Sequence, residues 1–254
     1  MATITLNRPE KKNALSEEMT PALRSLLREL EKNEEVKSLV LTGAGSSFCS
    51  GGDVSTMKSL GKESLQPVDY DRVETLRMKQ RTLTLRLFEL SKPTIAAICG
   101  PAAGAGLSIA LACDFRIMKK GTFITTGYSK IGLSGDYGGS WLMTHLTNMS
   151  ITKDLYFSSR RVDSIECLEL GLVNKVVAQE EFLSTVNAFA IEMANMAPLA
   201  VKYLKSTINS ATSSTLSEHL DSEAENLFRC ADSMDHKNAI KAFLEKRNPK
   251  FSGE

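Results

Sequence analysis

Apolar positions along this chain switch between two spacings. Ala2-Thr3-Ile4-Thr5-Leu6 alternates with period two and reads as a strand. After Ser16, residues Met19, Leu23, Leu26, Leu27 and Leu30 recur at helical spacing, with Ser16 as N-cap and Glu17 and Glu18 suited to the positive helix end. Residues 36–42 predict a buried strand, followed by a turn at Gly43-Ala44-Gly45-Ser46-Ser47. A polar stretch around 60–70 predicts a mobile loop that admits a ligand. Residues 71–90 predict a long helix that stops before Lys92-Pro93, because the residue preceding a proline is driven out of the helical region. A short apolar strand is expected at 94–98, a buried helix of small residues at 104–113, further strands at 114–117 and around Phe123, and a helix at 138–146. Repeated strand–helix alternation predicts an α/β core.

Beyond Val177 the pattern is helical only. Phe182, Leu183, Val186, Phe189 and Met193 share one face, Pro198 opens the next helix, Leu216, Leu220 and Leu227 mark another, and Ala239, Ile240, Phe243 and Leu244 the last. Helices so thinly amphipathic do not make a core alone. The expected organisation is an α/β core over 1–195 and a helical region over 196–254 that packs on it or on a neighbouring subunit. Because the chain opens inside a strand, a further strand ahead of Ala2 is expected to be missing.

Composition narrows the classes. With 254 residues and 42% hydrophobic content the chain can bury a full core. The 31 basic and 30 acidic side chains leave no overall field to attract nucleic acid or an anionic membrane. Cys49, Cys99, Cys113, Cys167 and Cys230 are odd in number and form no C-x-x-C pair, which argues against a disulfide framework or a structural zinc site and for a reducing compartment. With no apolar run near the roughly 20 residues of a membrane span and no signal-peptide pattern, a cytoplasmic location is expected. His145, His219 and His236 lack ligand spacing, so no metal is expected. Neither a P-loop nor a G-x-G-x-x-G fingerprint after a strand is present, which argues against nucleotide cofactors.

The candidate chemistry lies in three glycine-rich segments. Ser50-Gly51-Gly52-Asp53 and Ala102-Ala103-Gly104-Ala105-Gly106 each precede a helix-like run and can aim free backbone N–H groups at a ligand oxygen. Gly135-Asp136-Tyr137-Gly138-Gly139 adds one carboxylate. Paired amides that hold a developing oxyanion, with an acid/base carboxylate beside them, suit proton transfer next to a thioester carbonyl. Taken singly, such glycines equally serve tight turns, and Asp136 equally serves as N-cap of the helix starting near Gly138.

Asn7-Arg8-Pro9-Glu10-Lys11-Lys12-Asn13-Ala14-Leu15, Phe48-Cys49-Ser50-Gly51-Gly52-Asp53, Lys92-Pro93-Thr94-Ile95-Ala96-Ala97, Ala103-Gly104-Ala105-Gly106 and Gly171-Leu172-Val173 stand in the order seen in the crotonase, or enoyl-CoA hydratase/isomerase, superfamily. The resemblance runs nearly end to end. Residues 102–139 and the tail 242–251 most resemble the ring-epoxide isomerases of phenylacetyl-CoA degradation.

The resemblance implies a spiral of ββα units, a trimer or dimer of trimers built through the C-terminal helices, and an acyl-CoA thioester substrate with no separate cofactor. Carried over by position, the amides of Gly52 and Ala105 form the oxyanion hole. Lys12, Ala14, Leu15, Ser50, Gly51, Asp53 and Val54 line the CoA channel, and Phe243 and Lys246 contribute from an adjacent subunit. The two glutamates of family hydratases map onto Ser108 and Tyr128, neither a carboxylate, which disfavours hydration. Asp136 falls where family isomerases carry a proton-shuttling aspartate, expected to be buried against Tyr128, Leu133 and Trp141 and so raised in pKa. Trp141 is expected to wall an acyl pocket or to serve core packing. The leading expectation is an acyl-CoA isomerase, shifting a double bond of the Δ3-to-Δ2 enoyl type or rearranging a ring-derived acyl-CoA. Open alternatives are an enoyl-CoA hydratase, a nucleophilic Asp136 as in aromatic acyl-CoA dehalogenases, and a non-catalytic acyl-CoA-binding or RNA-binding protein of the same fold.

Overall fold

In the computed structural model, which describes residues 1–53 and 69–254, strands and helices alternate. β1 (Ala2–Leu6), α1 (Met19–Lys32) and β2 (Leu39–Gly43) come first. α2 (Tyr70–Gln80) then continues through a π-helical turn, Arg81–Leu85, into the helical stretch Arg86–Glu89 and β3 (Thr94–Ile98). Next are β4 (Ala102–Ala103), α3 (Gly104–Leu111), β5 (Phe115–Lys119), β6 (Phe123–Thr125), α4 (Gly139–Leu146), α5 (Met149–Ser158), β7 (Val162–Asp163), α6 (Ser164–Glu169) and β8 (Lys175–Val177). α7 (Phe182–Ala194), α8 (Pro198–Ser210), α9 (Leu216–Ala231) and α10 (Met234–Leu244) complete the chain.

β2 and β3 read as apolar runs because the sheet is covered on both faces there, whereas β1 at the sheet edge alternates. β1, β2, β3, β5 and β8 pair in that order, every pair parallel. Side chains alternate across a sheet, so Leu39, Leu41, Ala96, Ile98 and Met118 enter a core shared with α1, α3 and α4. Val40, Ile95, Ala97 and Ile117 enter a second core, closed by Phe182, Val186 and Ala190 of α7. A small sheet of β4, β6 and β7 lies apart, β4 parallel and β7 antiparallel to β6.

Several elements differ from the sequence reading. β4, β7 and β8 are two or three residues long, too short to carry a period. α5 and α6 went unrecognised, since α5 buries only Thr152 and Leu155. The long helix expected over 71–90 contains the π-helical turn, and no proline or glycine marks it. Ser16 behaves as expected in part: its Oγ accepts the Met19 N–H at 3.0 Å, although the regular helix starts at Met19.

Polar contacts tie the terminal helices to the body. Lys205 Nζ of α8 sits 2.8 Å from Asp114 Oδ2, which also accepts from the N–H and Oγ1 of Thr94. Asn209 Nδ2 donates to the Phe88 carbonyl at 3.1 Å, and buried Asp235 of α10 accepts the N–H groups of Ser252 and Gly253 at 2.7 and 2.9 Å. Leu204, Ile208, Leu216, Leu220, Leu227, Phe228, Phe243 and Leu244 remain exposed on α8, α9 and α10. Among the described residues no helix is long and apolar enough to cross a membrane.

Candidate active site

Two loops are stitched together by their backbones. Ser50 N donates to the Lys12 carbonyl at 3.0 Å, Leu15 N to the Gly51 carbonyl at 2.8 Å, and Asp53 N to the Leu15 carbonyl at 3.2 Å. Buried Asn13 holds the first loop in place: its Oδ1 accepts from Arg8 N at 2.9 Å and its Nδ2 donates to the carbonyls of Ala44 and Ser47, each at 2.8 Å. Arg8 pairs with Asp53 at 3.4 Å. Lys12 and Ser50 are exposed beside each other, whereas Ala14 and Leu15 are buried. Val54 and residues 60–68 of the loop expected to be mobile lie outside the described residues.

This stitching fixes where the Gly52 amide points. A trans peptide directs its carbonyl and the following N–H to opposite sides, so the Gly51 carbonyl engaged by Leu15 leaves the Gly52 N–H facing away from that strand. The N-terminus of α3 lies against Gly51, and its first-turn amides, Ala105 among them, have no partner within the helix. The approach is close because residue 51 lacks a side chain. A Cβ there would stand 3.3 Å from Ala105 N and 2.9 Å from the Ala103 carbonyl oxygen, and Gly51 takes φ +91°. At the far end of α3, buried Arg116 donates to the Cys113 carbonyl at 2.6 Å and the Leu111 carbonyl at 3.4 Å, a cation at the negative end of the helix dipole.

Asp136 lies in the turn that leads into α4. Tyr128 Oη donates to Asp136 Oδ1 at 2.5 Å. The N-cap alternative is thereby answered: Gly138 is the N-cap of α4, at φ 72° and with no side-chain capping bond, while the Asp136 carboxyl turns to Tyr128. Burial holds this carboxyl above its ordinary pKa, and the Tyr128 hydrogen bond, which favours the charged form, offsets part of the rise. Burial, then the neighbouring Asp136 charge, keeps the Tyr128 phenol protonated well above its usual range. The Tyr156 ring of α5 stacks on Tyr128 at 6.0 Å with planes 12° apart. Two contacts link the carboxylate to the start of α3: Tyr128 Oη reaches Asp136, and a Cβ on Gly104 would meet that same Oη at 3.8 Å.

The remaining expected positions divide. Ser108, 1% exposed, spends its hydroxyl on the carbonyls of Asp136 at 3.1 Å and Gly104 at 3.3 Å. Leu133 and Trp141 do not bury Asp136 as expected. Leu133 is about half exposed, and Trp141 packs edge-on against Phe88 at 5.6 Å, overlies His145 at 3.8 Å, and lines a separate cavity of about 500 Å³ between α4 and α8. The reason is helical geometry: Gly139 abuts Ser108 and Tyr156, and two residues on, the helix has turned roughly 200° away. Tyr137 and Tyr156, which the sequence reading passed over, take that place beside Asp136; burial and the Asp136 charge push the Tyr137 phenol up to about 12. Phe243 is 82% exposed on α10 and Lys246 follows that helix. No hydrogen bond or ion pair among the described residues joins either side chain to the 12–15 or 50–53 loops.

The arrangement is the N-terminus of α3 close against Gly51, one half-buried carboxyl nearby and a tyrosine hydroxyl on that carboxyl. The enoyl-CoA hydratase/isomerase family model matches residues 1–254. The chain is 32% identical over 252 residues to the 1,2-epoxyphenylacetyl-CoA isomerase of Escherichia coli (strain K12), covering 99% of this chain and 95% of that one. It is 34% identical over 248 residues to the short-chain-enoyl-CoA hydratase of Clostridium acetobutylicum, covering 97% and 92%. The crystal structure of an enoyl-CoA hydratase from Polaromonas sp. JS666 superposes with a TM-score of 0.90 at 34% identity, over 98% of this chain and 95% of that one. The chain belongs to the enoyl-CoA hydratase/isomerase family, and its α/β architecture is the crotonase fold.

Proposed function

We propose that this enzyme is an acyl-CoA isomerase with Asp136 as its proton shuttle. The observation that carries the reading is that, among the described residues, the half-buried Asp136 carboxyl is held by Tyr128 through its side chain and by Ser108 through its backbone carbonyl, these two standing at the positions the resemblance assigns to the hydratase glutamates. Hydration calls for one group to activate water and another to protonate the α-carbon, whereas an allylic shift needs one shuttling group.

In this reading the CoA chain runs along Lys12, Ala14, Leu15, Ser50, Gly51 and Asp53, and the thioester oxygen accepts from the amides of Gly52 and Ala105. Asp136 takes a proton from C2 of a 3-enoyl ester. The electron pair moves onto the thioester oxygen as an enolate, where the two amides and the positive end of α3 hold it. As the carbonyl re-forms, the C1–C2 π pair of the enolate becomes the C2–C3 double bond, the C3–C4 double bond opens, and its electron pair takes the same proton from Asp136 at C4. No redox equivalent or water is consumed, so no cofactor is called for. A ring-derived acyl-CoA that rearranges through the same enolate fits the same groups, and the 32% identity to an epoxyphenylacetyl-CoA isomerase supports that branch. We further propose a homotrimer or dimer of trimers, supported by the apolar side chains exposed on α8, α9 and α10.

The test is to offer 3-enoyl-, 2-enoyl- and ring-epoxide CoA esters separately to the wild-type protein and to Asp136→Asn, following products by mass. Isomerisation lost in the variant supports the reading. Fast hydration of the 2-enoyl ester that survives Asp136→Asn overturns it in favour of a hydratase. Acyl-CoA binding with no turnover of any ester marks a binding protein.

A further inference from the structure

The turn that presents Asp136 is held in an unfavourable backbone conformation. Gly135, Tyr137 and Gly138 have φ of 112°, 50° and 72°. Glycine adopts such angles at little cost, but a residue with a Cβ loses roughly 1–2 kcal/mol in the left-handed region. Tyr137 therefore stays there only because its surroundings insist. Its ring is 7% exposed within the main core. Its N–H donates to Gln80 Oε1 at 2.7 Å, across the body of the molecule.

That N–H belongs to the peptide whose other end is the Asp136 carbonyl. The carbonyl accepts from Ser108 Oγ at 3.1 Å and Gly139 N at 3.3 Å. The peptide plane following the carboxylate is thus gripped from both sides, by α3 on the oxygen and by the last residue of α2 on the nitrogen. Fixing that plane fixes the Asp136 backbone and, with it, the direction of its Cα–Cβ bond. The helix carrying Gln80 is shaped for this contact. Its regular turns end at residue 80, the π-helical turn begins at Arg81, and Thr84 within that turn is buried with its methyl 3.8 Å from where Gly138 would carry a Cβ. The same segment therefore meets two successive residues of the turn. π-Helical turns interrupt a helix at a cost and concentrate at functional sites.

We infer that Gln80 is a positioning residue: it holds the Asp136–Tyr137 peptide plane so that the carboxylate faces the Tyr128 hydroxyl and the proton it moves. The inference rests on Asp136 being the base. Without the Gln80 acceptor the peptide is free to rotate, which relieves the positive φ of Tyr137, breaks the Ser108 bond and swings the carboxylate out of line. Misplacing a reacting group by about 1 Å costs on the order of a hundredfold in rate.

The experiment compares wild type with Gln80→Met, close in size but without the acceptor, and Gln80→Glu, which keeps an acceptor and adds charge. The readout is exchange of solvent deuterium into the acyl carbons of a 3-enoyl-CoA, followed as kcat and KM across pH, with melting curves as a folding control. The titratable groups around Asp136 are Tyr128, Tyr137 and Tyr156, with Arg24 and Glu17 facing the Tyr137 ring. Gln80→Met is expected to lose roughly ten- to a hundredfold in kcat with KM changed less than threefold, and its crystal structure to show Tyr137 outside the left-handed region. Gln80→Glu is expected to keep kcat within a few-fold and to move the acid edge of the rate to higher pH, because a second negative charge makes Asp136 harder to ionise. Should Gln80→Met not fold, the Gln80→Glu profile and structure decide alone. Wild-type kcat and an unmoved Tyr137 in Gln80→Met, or a wild-type pH edge in Gln80→Glu, overturn the inference while a dead Asp136→Asn leaves the base reading standing. Exchange that persists in Asp136→Asn removes the base reading itself.

Discussion

At the residue scale, the proposed chemistry turns on how the Asp136 carboxyl is poised between two opposing influences. Burial raises its pKa, and the Tyr128 hydroxyl lowers it again. A base must be ionised to accept a proton, so activity is expected to fall as pH drops through this pKa, at an edge above the ordinary aspartate range. Removing the hydroxyl in Tyr128→Phe deletes the interaction that favours the charged form. The edge of a kcat profile should then move to higher pH; an edge moving down, or not at all, counts against the assignment. The same sign governs stability. The folded state holds this proton more tightly than the unfolded one, so the contribution of Asp136 to stability is present below its unfolded pKa and lost as pH rises through the folded value. Asp136→Asn should therefore melt no lower than wild type at neutral pH while losing activity, a trade of stability for function.

At the element scale, α3 carries the electrophilic half of the proposed site. Its first-turn amides have no partner within the helix and lie against Gly51, and its end is neutralised by Arg116. Because the work falls to main-chain groups, side-chain truncation at Ala105 should do little. Gly51→Ala is the informative change: its φ of +91° disfavours any side chain, and the new methyl would press on the Ala103 carbonyl at 2.9 Å and the Ala105 amide at 3.3 Å. We expect a loss of more than about 1 kcal/mol by denaturant melting and a fall in kcat approaching the 10²–10³ cost of one oxyanion donor. Wild-type kcat in this variant would place the oxyanion site elsewhere. The sequence announced these glycines as turns, but only the tertiary structure pairs Leu15 with Gly51 and Asp53.

At the scale of the whole molecule, the terminal helices are held to the sheet by few polar links. Lys205 is nearly buried against Asp114, and removing one partner of such a pair strands the other. Lys205→Met is expected to destabilise by up to roughly 3 kcal/mol and to loosen α8 in hydrogen exchange, with the parallel sheet protected as before. The apolar side chains left outside on α8, α9 and α10 lead to the proposed homo-oligomer. Leu227→Glu combined with Phe228→Lys should shift sedimentation toward the monomer, and an unchanged sedimentation coefficient would move the interface to another face.

What the sequence alone determined is whatever is encoded by near neighbours: the period-two run of β1, the short apolar run of β3, the helical spacing of α1 and α7, the glycine-rich turns, and the ordered motifs that carry the family. Its placing of Asp136 beside Tyr128 follows from two residues eight positions apart on one connection, although the carboxyl is half-buried rather than enclosed. Contacts between distant segments were decided only by the tertiary structure. Trp141 turned away from the carboxylate because its helix rotated it there. Tyr156 reached Tyr128, and Gln80 reached Tyr137 across 57 residues of chain, through packing that no local pattern records. Spacing along a chain constrains backbone conformation over one or two turns, whereas the direction of a side chain in a pocket depends on which distant surfaces close around it.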